Sequence, residues 1–288
     1  MGNTVKTAFL LTLLTVLLVL IGEHFFGRDG LILGFLVAAG MNFFTYFYSD
    51  KLALKMYKAQ PVTREELPRA YEVVERMTQR MGIPMPKMYV IPTESPNAFA
   101  TGRNPKHASV AMTHGILALL NDEELEGVLA HELGHVQNRD ILTSSIAATL
   151  AGAITLIARM GYWASLFGGG GQGGGSRQRG GGASGLFMLI LAPIAAMLIQ
   201  LAVSRSREYE ADATGAKTTG NPYALASALE KIDASSKRLP MVASPSSAHL
   251  FIAQPLVGGG MFTNLFSTHP PMQKRIERLI GRSSVSGL

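Results

Sequence analysis

The sequence predicts a mainly α integral membrane protein with a small β-sheet, about four transmembrane helices and a polar domain on one side of the bilayer. Three observations carry that expectation. Apolar residues gather in four blocks, at 8–22, 31–48, 141–158 and 186–203, and the last three are each 18 residues without a formal charge. A span needs roughly 20 apolar residues, with about 17 as the lower end, so three blocks qualify and the first is marginal. Only 16% of the 288 residues are charged, and they lie almost wholly between and after the blocks.

The first block has two readings. Lys6 followed by a Leu-rich run fits a signal peptide, but Gly22-Glu23-His24 offers no small-x-small cleavage site and a second block follows within ten residues, which favours a retained hairpin. The second block ends in Phe43, Phe44, Tyr46, Phe47 and Tyr48, rings suited to the headgroup zone. The third and fourth blocks read as a second hairpin, with buried core helices as the alternative, given Thr143, Ser144, Ser145 and Pro193.

The net charge of +6 could point to nucleic acid, but its distribution points to membrane topology. Lys51, Lys55, Lys58, Arg64 and Arg69 follow the second block, Arg139 precedes the third, and Arg205 and Arg207 follow the fourth. The short loop at 23–30 has Arg28 as its only basic residue. By the positive-inside tendency, residues 49–140 and 204–288 face the cytoplasm; Arg159, Arg177 and Arg179 oppose that orientation without reversing it. The chain divides accordingly into a transmembrane hairpin (1–49), a cytoplasmic segment (50–140), a second membrane hairpin (141–203) and a second cytoplasmic segment (204–288). Ten glycines in the fifteen residues 168–182 lack the Gly-Lys-Ser/Thr ending of a phosphate loop and read as a flexible linker. The bilayer is thus an expected partner and nucleic acid is not.

Within 50–140, Thr63 and Glu66 have capping-box spacing, and Leu67, Ala70, Tyr71, Val74 and Met77 then repeat at helical intervals until Gly82, Pro84 and Pro86. Residues 87–91 and 108–113 read as strands, with 97–101 as a candidate third. Asn121, followed by three acidic residues, opens a helix carrying Ala-His-Glu-Leu-Gly-His. Beyond 203 come an Arg-rich helix start, a helix opened by Asn221-Pro222, a Pro/Ser/Gly-rich loop at 240–260 and a final helix near 272–280.

The chemistry sits in the His-Glu-Leu-Gly-His run. Residues four apart share a helix face, so His131 and His135 can bind one metal ion, with Glu132 beside it as a base toward a metal-bound water. Alone, the pattern also fits two surface histidines. With no cysteine in the chain, a catalytic zinc would take nitrogen and oxygen ligands and keep one position open. In "SREYEADATGA", Glu208 and Asp212 share a face; Glu208 is the candidate third ligand, with Glu210 and Glu230 as competitors, and Asp212 would accept a hydrogen bond from a ligating histidine. Because the third and fourth blocks lie between His135 and Glu208, a hairpin there would return the chain to the site. Asn138 could serve near His135, or cap a helix distortion.

Taken together, "AHELGHVQNRD", "SREYEAD", "SPNAFATG" at 95–102 and "STHPP" at 267–271, with the four-block layout, resemble the HtpX-like membrane zinc endopeptidases, relatives of the CAAX prenyl proteases. The resemblance covers nearly the whole chain. It implies a zincin-like metalloprotease domain facing the cytoplasm from the inner membrane, one Zn2+ per chain on His131, His135 and Glu208, Glu132 as general base, and Asp212 behind the ligands. It implies unfolded or damaged membrane proteins as substrates, and work alongside other membrane proteases in quality control and stress response. It also implies that Asn97, Ala98 and Phe99 belong to an edge taking substrate as an added strand. His269 is the expected oxyanion stabiliser, with a structural histidine held by Pro270 and Pro271 as the alternative; Arg275 would share that role or pair with Asp212. The competing functions are a specific processing protease of prenyl type and a non-catalytic zinc-binding membrane scaffold. A transporter fits least, since no charge interrupts the blocks.

Overall fold

The structure is a computed structural model and describes residues 3–144, 146–147, 150, 205–239, 252 and 270–281. Helix α1 (Asn3–Met56) doubles back at Gly27, whose φ of 63° and ψ of −144° lie in a region open essentially to glycine. Its two arms, Thr4–Glu23 and Phe26–Tyr48, are each long and apolar enough to cross a membrane. They cross where side chains would collide: a Cβ on Gly30 would lie 1.8 Å from Gly22 O, and one on Gly34 2.5 Å from Leu18 O. Close approach through small residues is how apolar helices associate when lipid is as apolar as their side chains. Asn42 adds a hydrogen bond between the arms, donated by Nδ2 to Thr15 Oγ1 at 2.9 Å.

The apolar stretch of the second arm ends at Tyr48, but the helix does not stop there. It continues to Met56, and Ala53 and Leu54 pack against Ile91, Phe99 and Ala111, so the hairpin and the sheet share a core cluster.

The third block is described at residues 141–144, 146–147 and 150, where it is helical and packs Ile146, Ala147 and Leu150 on Leu10 and Leu14. Thr7 and Thr143 hydroxyls lie 2.9 Å apart across that contact. The rest of the third block, the fourth block, the glycine-rich stretch 168–182 and most of 240–260 lie outside the described residues. Among the described residues two helices have the length and composition of a span.

The sheet has four strands, β1 (Gln60–Pro61), β2 (Lys87–Ile91), β3 (Ala98–Gly102) and β4 (Ala108–Thr113), in the order β1-β2-β4-β3. β2 and β4 are parallel, and the outer pairs are antiparallel. Central β4 is buried along its whole length, as a strand covered on both faces must be, and β3 closes one edge. The short β1 has no period-2 pattern to mark it in the sequence.

Helix α2 (Pro68–Met81) starts four residues beyond Arg64, the first helical position implied by the Thr63–Glu66 capping-box spacing. Glu66 does accept from the Thr63 N–H at 2.7 Å, but the two close a separate turn. Pro68 lacks an N–H and disfavours helical geometry in Leu67, which sits at φ −138° and ψ 58°, so proline takes the first helical position. The C-terminal stop is Gly82 in the left-handed conformation, as expected.

After the short α3 (His114–Leu119), α4 (Asp122–Gln137) begins with a full capping box between Asn121 and Glu124. Leu125, Val128, Leu129, Leu133 and Val136 are all buried around its circumference, because α4 is held between β3, α2 and the helix Pro222–Ser236. A helix at residues 205–219 and the C-terminal helix Met272–Ile280 complete the polar domain, the latter stopped by left-handed Gly281. Both Asn221-Pro222 and 272–280 fall where the sequence placed helices.

Candidate metal centre

One turn of α4 supplies two imidazoles. His131 and His135 project from the same face with ring centroids 4.8 Å apart. The 205–219 helix supplies the carboxylate: Glu208 lies 3.8 Å from His131 Nε2 and 3.5 Å from His135 Nε2. One ligand atom from each of the three can be chosen so that all lie within 4.8 Å of one another. Neither Glu210 nor Glu230 joins this group. Two imidazoles and one carboxylate form the donor set of a three-ligand catalytic zinc site, so the residues present fit the metal.

The helices meet this closely because Gly215 lies on α4 at the metal face. A Cβ there would stand 3.0 Å from His131 N and 3.2 Å from His131 Cα. Glycine at this position lets the backbone of the 205–219 helix rest on the turn that carries His131.

Both histidines are oriented from behind. His131 Nδ1 is 2.9 Å from Asp212 Oδ1, and His135 Nδ1 is 3.2 Å from Asp140 Oδ2. With Nδ1 protonated and donating to a carboxylate, each Nε2 is left as the ligand atom. Asp212 thus lies at the far nitrogen of His131, where the sequence expected it to accept a hydrogen bond. Asn138 forms the C-cap of α4, the capping role the sequence also offered, its N–H donating to Gly134 O at 2.9 Å, and Asp140 is the carboxylate at His135 Nδ1. The reversal at Arg139, with φ 58°, swings the chain so that Asp140 lies beneath the last turn. A sequence signal existed in "NRD", because a helix stop followed by an acid can place that acid under the preceding turn.

Arg275, wholly buried, pairs with Asp212 and also approaches Glu208 Oε2 to 3.4 Å. His269 lies outside the described residues; its neighbour Pro270 is buried.

Glu132 is 5% exposed and its Oε2 accepts the Ala100 N–H at 2.9 Å. That N–H therefore points away from β4 toward the site, and alternation places the Ala98 main chain on the same outward side. Phe99 packs its ring in the core cluster beside Tyr57. Asn97 precedes the strand, but its side chain is buried and directed to Ile252.

Charge in the pocket is strongly perturbed. Burial pushes the Glu132 carboxyl above its usual range, and the His131 and His135 charges oppose that only in part. For His135, burial disfavours the charged ring, but hydrogen bonds to Asp140 and Glu208 outweigh it and push the pKa up to about 10 in the metal-free site. Burial works against the Asp212 anion too, yet the Arg275 guanidinium holds its carboxyl down at about 2. Perturbed groups of both signs in one buried cluster single it out as the candidate functional site.

Comparison with known proteins decides the family, since a model described as Peptidase family M48 matches residues 64–283. The chain belongs to peptidase family M48. It is therefore a metalloprotease. This M48 chain is 53% identical over 287 residues to a protein named "Protease HtpX homolog" from Desulfatibacillum aliphaticivorans, covering 100% of this chain and 92% of the relative. A relative of the same name from Pelotomaculum thermopropionicum is 52% identical, with 96% of this chain and 98% of the relative covered. A third, from Thermococcus sibiricus, is 50% identical over 280 residues, covering 97% and 96%. The fold is shared with the crystal structure of S. mikatae Ste24p, at a TM-score of 0.54 and 23% identity, over 96% of this chain and 65% of that one. The M48 chain thus spans just under two thirds of that structure's length.

Proposed function

We propose that this chain is a multi-pass zinc endopeptidase of the cytoplasmic membrane that hydrolyses unfolded or damaged membrane proteins on the cytoplasmic side. The observation that carries the reading is the convergence of His131, His135 and Glu208 beside a buried carboxylate, Glu132, which itself touches the sheet edge. The relatives named protease HtpX homologues support it, as does a membrane-type hairpin packed on the polar domain. The four-block layout, with both cytoplasmic segments bracketing the second hairpin, is part of the same reading.

In that reading His131 Nε2, His135 Nε2 and a Glu208 oxygen hold the ion. Bound zinc lowers the pKa of a water toward about 7 and polarises the scissile carbonyl. Glu132 takes the proton of the attacking water on a carboxylate oxygen and delivers it to the leaving amine. The outward main chain of β3, at Ala98 and Ala100, takes the substrate as an added strand, which makes few demands on substrate sequence. His269 is proposed to steady the oxyanion.

The test is digestion of an unfolded protein by detergent-purified wild type and Glu132→Gln, with the zinc content of each determined. One zinc in both proteins and cleavage at many sites by wild type alone supports the reading. A single cut site would point to a specific processing protease, and zinc without cleavage in either protein to a scaffold.

A further inference from the structure

The resemblance assigns Asn97 to substrate, but its surroundings assign it elsewhere. The residue is 2% exposed, and its side-chain Oδ1 accepts the Ile252 N–H at 3.1 Å. Its own main chain is pinned to the end of β4: Asn97 N–H donates to Thr113 Oγ1 at 2.9 Å, and Thr113 N–H donates to Asn97 O at 3.0 Å. Ile252, also buried, passes the connection on, because its carbonyl accepts from Arg275 Nη1 at 3.1 Å. Arg275 then grips Asp212 through Nε at 2.9 Å and Nη2 at 2.7 Å. Asp212 completes the series against His131 Nδ1 at 2.9 Å.

We propose that Asn97 is a positioning residue, which ties the substrate-receiving edge strand to the metal-binding His131 through Ile252, Arg275 and Asp212. The inference rests on the metal site proposed above. Each link is buried, where hydrogen bonds are electrostatically strong and an unmet donor is costly. Ile252 contributes two opposed groups, an N–H toward the strand and a carbonyl toward the guanidinium, so the edge and the metal site are held as one body. A ligand bound along β3 is thereby registered against the ion, although Asn97 itself touches neither.

The experiment is a zinc titration of metal-free wild type, Asn97→Ala and Asn97→Asp against a competing chelator, followed by KM and kcat on an unfolded protein. Wild type that binds no zinc would remove the metal site, and the inference with it. Given zinc binding by wild type, Asn97→Ala should bind zinc roughly tenfold to a hundredfold more weakly, as loss of a group supporting a ligating histidine does, with KM unchanged. Unchanged zinc affinity in Asn97→Ala, whether KM rises or not, overturns the inference. Asn97→Asp guards against general misfolding, since it keeps an oxygen for the Ile252 N–H. Zinc affinity near wild type in Asn97→Asp alone supports the link, and equal weakening in both variants overturns it.

Discussion

Arg275 and Asp212 form a two-pronged ion pair out of contact with solvent, Nε to Oδ2 at 2.9 Å and Nη2 to Oδ1 at 2.7 Å. Asp212 belongs to the helix that also carries Glu208, and Arg275 to the C-terminal helix, so the pair joins two separate elements behind His131. Removing one member of a buried pair strands the other charge, at a cost of about 3–5 kcal/mol. Arg275→Ala should therefore destabilise the polar domain by about that amount. It should also weaken metal binding roughly tenfold or more, because Asp212 no longer holds His131 in one orientation. Denaturant unfolding of the metal-free variant and a zinc titration check the two effects separately.

Metal binding should depend steeply on pH. In the metal-free site His135 is pushed up to about 10, so at neutral pH the ring carries a proton that a metal must displace. Zinc affinity should rise about tenfold per pH unit between pH 6.5 and 8, with about one proton released, as expected for a ligand that must deprotonate. Calorimetry in buffers of different ionisation enthalpy measures that proton. The sign for the metal-free fold is the reverse. A raised histidine pKa contributes stability that is fully present below pH 6.5 and is lost as pH rises through about 10. Asp212, held at about 2, contributes stability above pH 3.8 that is lost as pH falls through 2.

Gly215 lets the 205–219 helix approach the α4 turn that carries His131. Gly215→Ala adds a methyl 3.0 Å from His131 N and demands a shift of a few tenths of an ångström. Gly215→Leu demands far more. Overpacking costs about 1–3 kcal/mol in ordinary cores; here it should also move Glu208 off the two histidines. Zinc affinity should fall from wild type to Ala to Leu in that order, measured by chelator competition.

Ala100→Pro tests the β3 edge. The lost N–H faces Glu132 rather than β4, so the sheet ladder is preserved and the fold should survive, as proline is tolerated on edge strands. Cleavage of an unfolded protein should drop by at least about tenfold, since Glu132 loses a positioning donor. Circular dichroism and zinc content at wild-type levels establish that the fold and the metal site survive the substitution.

Much of the site follows from local rules, and so was legible without coordinates. His131, Glu132 and His135 needed only the helical repeat. The caps at Asn121 and Asn221, the stop at Gly82 and the bounds of the last helix needed only terminal chemistry. The expectation that the chain returns after the fourth block pointed to Glu208 and Asp212, and both lie at the histidines. Local rules misplaced the start of α2, where a proline outweighed a capping pattern, and missed β1 and α3, which are too short to show a period.

Tertiary structure decided the partners that depend on the path of the chain. Asp140 reached His135 because one left-handed residue, Arg139, reversed the backbone after the last turn of α4. Asn97 turned inward because Ile252, 155 residues away, presented an N–H to it, and Arg275 reached Asp212 across 63 residues. Periodicity determines which face of an element a residue occupies. Which buried donor meets which acceptor is set only when separate elements pack, because a hydrogen bond requires placement to a few tenths of an ångström that no repeat encodes.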